Sequence, residues 1–187
     1  MAVQLAASPI SAQNFSVGYK FLESVRKRDG AAAEASLAGS GSRLVNTKDI
    51  TTGESALHIV TRGRDLLWLR FLLAKGARPD LPTKDGDTAL ILATQLGWID
   101  GATELLSRGA KVDASNGRGE TPLILAVHKR DVSLIRLFVA NGANPRRTDR
   151  VAGYSALDYA KRDDRSGALV RLLETAQPVK AVAGPPR

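Results

Sequence analysis

The chain has 187 residues, 43% of them hydrophobic and 5% aromatic, enough apolar material for one domain with a sizeable core. It has no cysteine, which excludes disulfides and thiolate metal sites, and no window approaches the ~20 apolar residues that span a bilayer. The net charge of +8 is uneven: from Lys111 onward 14 Lys/Arg stand against 8 Asp/Glu, and before it 13 against 11.

In chain order, Met1–Gln13 is apolar and rich in small residues. It reads either as a disordered arm or as the remnant of an export signal. Ile10-Ser11-Ala12 would suit a leader cleavage site, but there is no basic n-region and the apolar run is short. Asn14–Leu44 reads as a helix pair. Phe15, Tyr19, Leu22 and Val25 form one stripe over Phe15–Gly30, and Ala31–Gly39 is a second short helix. Gly39-Ser40-Gly41-Ser42 is a loop linker: no phosphate-binding Lys-Ser/Thr follows it and no strand precedes it.

From residue 46 the chain repeats itself. The phrase GESALHIV at Gly53–Val60 returns as GDTALILA at Gly86–Ala93, GETPLILA at Gly119–Ala126 and GYSALDYA at Gly153–Ala160. A second phrase, LLAKGA, LLSRGA and FVANGA, ends at Ala77, Ala110 and Ala143. Such periodicity means stacked units that share one continuous core. Each unit is two helices and an extended turn. In the second, Thr88 is the N-cap, Gly97 ends a short helix, Ile99–Ser107 is the second helix, and Gly109 terminates it. Ser55, Thr121 and Ser155 are the other caps, Gly76 and Gly142 the other terminators, and Pro122 falls at a first helical position.

Leu66, Leu69, Leu72 and Leu73 are read as core; Trp68 and Trp98, near the starts of second helices, read as packing on a neighbouring repeat, with a contact to a partner as the alternative, since Trp is enriched at interface hot spots. The unit Tyr154–Ala176 is atypical and polar, a C-terminal cap, and Pro178–Arg187 reads as a disordered tail. The domain limits are therefore 14–45 for an N-terminal capping pair, 46–80, 81–113 and 114–146 for three repeats, and 147–176 for the C-terminal capping repeat, with 177–187 as the tail.

The pattern G-x-[TS]-[PA]-L-x-x-[AV] followed by LL-x-x-GA resembles the ankyrin repeat, over about Lys48–Thr175 with a divergent half-repeat from Asn14. The resemblance implies an all-α solenoid of stacked helix pairs joined by β-hairpin-like turns, with protein binding on a concave side made of hairpin tips and first helices. Carried over position by position, its candidate contacts are Lys48, Thr51, Glu54 and Arg62 from the first full repeat and Pro82, Lys84, Asp87, Gln95 and Leu96 from the second. The third offers Ser115, Arg118, Glu120, His128 and Lys129, and the fourth Thr148, Arg150, Tyr154 and Arg162. Of these, Leu96, His128 and Tyr154 are expected to contribute most to affinity. The resemblance also gives His58 a role in hydrogen bonds between repeats.

There are departures. The hairpins Asp49–Gly53 and Asp149–Gly153 carry one extra residue, and Lys129-Arg130-Asp131 stands where the family usually has a Gly between its helices. The strings AQNFSVGYKFLESVRKRDG, NTKDITTGESALHIV and AVAGPPR are also similar to small ankyrin-repeat proteins of Gram-negative bacteria that carry a signal peptide. That supports a periplasmic or otherwise exported protein if Met1–Gln13 is a leader remnant, and a cytoplasmic one otherwise.

Little points to catalysis. No Ser or Asp is spaced to form a triad with His128, no metal-ligand spacing exists, and the pair Asp163-Asp164 is flanked by Arg162 and Arg165. The expected function is a non-catalytic, monomeric module that binds an unidentified protein on its concave face, with no cofactor, metal or small-molecule substrate. The alternative is electrostatic binding of a polyanion, nucleic acid or an anionic membrane surface, through the basic C-terminal half. It rests on Lys129, Arg130, Arg146, Arg147, Arg150, Arg162 and Arg165.

Overall fold

A computed structural model describes residues 9–38, 42–163 and 167–175. The start of the N-terminal arm (1–8), the Gly-Ser loop at 39–41, Asp164, Arg165 and the tail lie outside the described residues. The order is α1 (Pro9–Lys27), α2 (Gly30–Ala38), α3 (Ser42–Val45), then α4 (Ala56–Arg62), α5 (Leu66–Ala74), α6 (Ala89–Gln95) and α7 (Ile99–Ser107). Helices α8 (Pro122–His128), α9 (Val132–Ala140), α10 (Ala156–Asp163) and α11 (Ala168–Glu174) complete it. Among the described residues the only β pairings are isolated antiparallel bridges, Lys48 with Ser55 and Thr148 with Ser155, at the necks of two hairpins. The solenoid predicted from the period is what forms: α1, α4, α6, α8 and α10 stack as one layer, and α5, α7, α9 and α11 as a second.

Local chemistry sets the element boundaries. The Thr88 and Thr121 hydroxyls accept the Ile91 and Ile124 N–H groups at 3.3 and 3.2 Å, so α6 and α8 start where the caps predict. Ser155 and Asp158 exchange bonds in a full capping box ahead of α10: the Ser155 N–H donates to the Asp158 carboxylate at 3.0 Å and the Asp158 N–H donates to Ser155 Oγ at 3.2 Å. On the second helices Asp65 and Asp131 cap α5 and α9 by accepting the N–H of Trp68 and Leu134. In α7 that position is Trp98. It has no cap bond; its ring is buried and lies where a Cβ on Gly101 would sit, within 2.1 Å.

Three sets of hydrogen bonds join successive units, because each thin layer can bury its apolar faces only against its neighbours. At the hairpin tips, Lys84, Gly117 and Arg150 donate backbone N–H to the carbonyls of Thr52, Asp85 and Arg118, at 3.1, 2.8 and 2.8 Å. Beyond the second helices, the Asn46, Asp80 and Asp113 side chains accept the N–H of Arg78, Lys111 and Asn144. At the turns between helices, Arg28 donates to Asp65 at 2.7 Å, Arg64 to the Leu96 carbonyl, and Arg130 to the Asp163 carbonyl at 3.1 Å.

Those three arginines have φ of 59°, 51° and 54°, the left-handed conformation that Gly97 adopts at the equivalent place in the second repeat. A side chain there costs about 1–2 kcal/mol. Each guanidinium offsets part of that cost through its bond to the next unit. The departure at Lys129-Arg130-Asp131 therefore keeps the backbone shape glycine would give.

The N-terminal pair differs from its reading in three ways. Tyr19 is 61% exposed, and Phe21, fully buried, takes its place in the core with Leu22 and Val25. The buried face of α1 is centred between Phe21 and Leu22, and Tyr19 lies on the far side of Leu22 at 100° per residue. Helix α1 begins at Pro9, ahead of Phe15, and the short α3 follows the pair. Of the Leu66–Leu73 stripe, Leu69, Leu72 and Leu73 are buried and Leu66 is half-buried.

Candidate functional site

The eighteen candidate contacts lie on the hairpins, on the first helices and in the turns beside them, and none of them is fully buried. The two longer hairpins fold around an aspartate. Asp49 Oδ1 accepts from the N–H of Thr51 and Thr52, and Asp149 Oδ1 from those of Val151, Ala152 and Gly153. Their tips are thereby fixed, with Thr51 exposed in one, Arg150 exposed in the other, and Ile50 and Val151 projecting as bare aliphatics. The shorter hairpins close on Thr83 and Asn116 instead and present Lys84 and Arg118.

Six of the candidates converge. Thr51, Glu54, Arg62, Lys84, Asp87 and Gln95 line a groove of about 490 Å³ between the first and second hairpins. Arg62 donates to Glu54 at 2.5 Å and Gln95 to Asp87 at 3.4 Å, so the walls are braced. Leu92 and the edge of His58 complete the lining. His58 accepts the Ser55 N–H at Nδ1 (3.1 Å), which makes Nε2 the protonated nitrogen, donating to the Asp87 carbonyl at 2.9 Å. It ties two repeats together, as its place in the phrase implies. Burial pushes its pKa down from 6.5, so the ring is held neutral.

A second group gathers around Tyr159, which sequence reasoning missed. His128 stands edge-on to its ring, centroids 4.2 Å apart, and Tyr154 does so at 5.5 Å. The Arg162 guanidinium lies 5.6 Å from the Tyr154 ring centre and 5.2 Å from that of Tyr159. The Tyr159 hydroxyl donates to Asp149 Oδ2 at 2.6 Å, and that bond pushes its pKa up to about 12. Burial works to raise the pKa of Asp149, but the Tyr159 hydroxyl and the three hairpin N–H groups outweigh it and hold the carboxyl below its ordinary range. The signal for Tyr159 was in the repeat register: it occupies the seventh place of the phrase, where Ile59, Leu92 and Leu125 stand in the other units.

The remaining candidates stand apart from both groups. Lys48 and Thr148 are exposed at the necks of the first and fourth hairpins, while Pro82, exposed, and Ser115, half-buried, lie on the irregular segments leading to the second and third. Leu96 is half-buried against the core, and its carbonyl accepts Arg64. Glu120 accepts from Asn116 Nδ2 and Arg118 Nε, both at 2.9 Å. Several of the basic residues behind the polyanion reading are engaged within the protein: Lys129 donates to the Gln95 carbonyl, Arg130 to that of Asp163, and Arg162 to the Asp163 carboxylate. Trp68 packs edge-on against Phe71 at 5.4 Å, and Trp98 packs on Gly101, so both tryptophans serve the fold.

Two family models match this chain. Residues 25–116 match one described as ankyrin repeats (3 copies), and residues 105–160 match one described as ankyrin repeats (many copies). Together they run from the end of α1 into α10, across both constellations described above except Arg162.

Proposed function

The chain belongs to the ankyrin-repeat family, whose members are generally protein–protein interaction modules, and on that premise we propose that it binds a partner protein on its concave face without catalysing a reaction. One observation carries the reading. Backbone bonds from tip to tip join all four hairpins, so exposed Thr51, Lys84, Arg118 and Arg150 are presented in a row that is already fixed before a partner arrives. A preordered row lowers the entropy cost of association. The groove beside it and the Tyr159 cluster add depth and aromatic area, which suit side chains of a folded partner.

A photo-crosslinking amino acid placed at Lys84 or Tyr154, in cells that express the chain natively, should form an adduct with one protein of defined mass. The same group at Leu67 or Ser133, exposed on the outer helices α5 and α9, should not. Adducts from the outer positions alone would overturn the proposal.

A further inference from the structure

Resting on that reading, we propose that the third- and fourth-repeat half of the concave face receives an acidic segment of the partner protein, with Arg162 as its central carboxylate contact. The two halves of the face differ in charge. In the first, Lys48, Arg62 and Lys84 are balanced by Glu54, Asp85 and Asp87. In the second, Arg118, Lys129, Arg150 and Arg162 stand with Glu120, Asp163 and Asp149, and the Asp149 carboxylate is buried and already accepts from the Tyr159 hydroxyl and three hairpin N–H groups. Glu120 is already held by Asn116 and Arg118.

Arg162 is set apart by what backs it. Two tyrosine rings lie under its guanidinium, so the plane is oriented before any ligand binds. A planar, prepositioned fork matches a carboxylate better than a mobile ammonium does. Asp163 accepts from the Nε of Arg162 at 3.1 Å, and both side chains are exposed. Such a pair is weak in water, so an incoming carboxylate can share or displace it. Exposed His128 beside the Tyr159 ring adds a hydrogen-bonding edge. Arg118 and Arg150, joined by a backbone bond of 2.8 Å, extend the cationic row along the hairpin tips.

Acidic protein is favoured over single-stranded nucleic acid. Base binding depends on open aromatic faces, whereas here Arg162 lies over both tyrosines and Tyr159 is buried.

The test is fluorescence anisotropy of the full chain with a labelled oligo-glutamate peptide at low salt, and oligothymidylate of matched charge as competitor. The peptide should bind. Arg162→Gln should weaken it by about ten-fold, Arg162→Lys by less, and Arg136→Gln on the outer helix α9 by under about two-fold. Amide NMR shifts on titration should centre on Tyr154, Tyr159 and Arg162, which also shows that each variant is folded. No peptide binding, equal losses from Arg162→Gln and Arg136→Gln, or preferential binding of the oligothymidylate would each overturn the proposal. If crosslinks from Lys84 and Tyr154 still capture a protein, only the acidic-segment assignment falls; if crosslinks arise only from the outer helices, the concave-face reading falls with it.

Discussion

The second hairpin and the last one use the same phrase for different ends. Gly86 has φ +85°, and a Cβ there would come within 2.5 Å of the Gly117 backbone nitrogen, because the third hairpin packs directly on it. Gly153 has φ +69°, but nothing lies within 4 Å of where its Cβ would be. The sixth place of the phrase behaves likewise. His58 reaches forward to the carbonyl of Asp87 in the next repeat, while Asp158 turns back to its own cap, Ser155. Inside the stack a repeated residue serves its neighbour; in the last unit it serves itself. A period in the sequence is thus a statement about interfaces as much as about helices.

The sharpest way to break this comparison is to add a methyl group at each glycine. Gly153→Ala carries only the left-handed penalty, about 1–2 kcal/mol. Gly86→Ala adds a clash with backbone that cannot swing away, and should cost about 3–4 kcal/mol in all. Urea denaturation of the two variants checks the difference. Equal losses would mean that the hairpins do not pack in solution as they do here.

The contrast between His58 and Asp158 should appear in pH dependence. Burial lowers the pKa of His58 below 6.5, so the folded state binds its proton less well than the unfolded chain. Stability from this group is intact above about 6.5 and is lost as the pH falls through the folded value. Asp158, lowered by the Ser155 hydroxyl and N–H, keeps its contribution until the pH falls below 3.8. Ile91 and Ile124 occupy the same place in the second and third repeats. His58→Ile should therefore cost about 1–2 kcal/mol at neutral pH, through the lost bridge to Asp87. It should also flatten the fall in melting temperature just below pH 6.5. A variant that melts with the same pH profile as the parent would show that His58 is not the titrating group.

What the sequence made legible follows the same line. Caps and glycine terminators act within one turn of chain, so Thr88, Thr121 and Gly109 could be placed from residue type alone. None of the candidate contacts is fully buried, because the repeat register separates the core positions from the rest. Features that depend on a partner layer were harder. Tyr19 fits a helical stripe, but which stripe is buried depends on where the helices packed on α1 lie. Trp98 and Gly101 are two departures that compensate each other, since the ring that replaces a capping aspartate fills the space a side chain would take. Arg28, Arg64 and Arg130 conceal their left-handed backbone, which shows only when they are aligned with Gly97. Tyr159 gave no local signal beyond a ring in an aliphatic column. Its importance comes from Asp149, Tyr154, His128 and Arg162, drawn from the hairpin, α8 and α10.

The smallest effect concerns one column of the inner layer. Residues 61, 94 and 127 are Thr, Thr and Val, and both threonines are fully buried. Thr94 donates its hydroxyl to the Leu90 carbonyl at 2.8 Å, whereas the Thr61 hydroxyl has no partner among the described residues. A buried hydroxyl left unbonded is a net cost, and valine is its apolar counterpart in shape. Thr61→Val should thus be neutral or stabilise by about 1 kcal/mol, while Thr94→Val should destabilise by about 1 kcal/mol through the lost bond. Thermal melts of the two variants, made side by side, measure the sign at each position. Opposite signs at two equivalent places would show that a repeat's sequence is tuned unit by unit; a loss at both would mean that Thr61 finds a partner, such as a bound water, in solution.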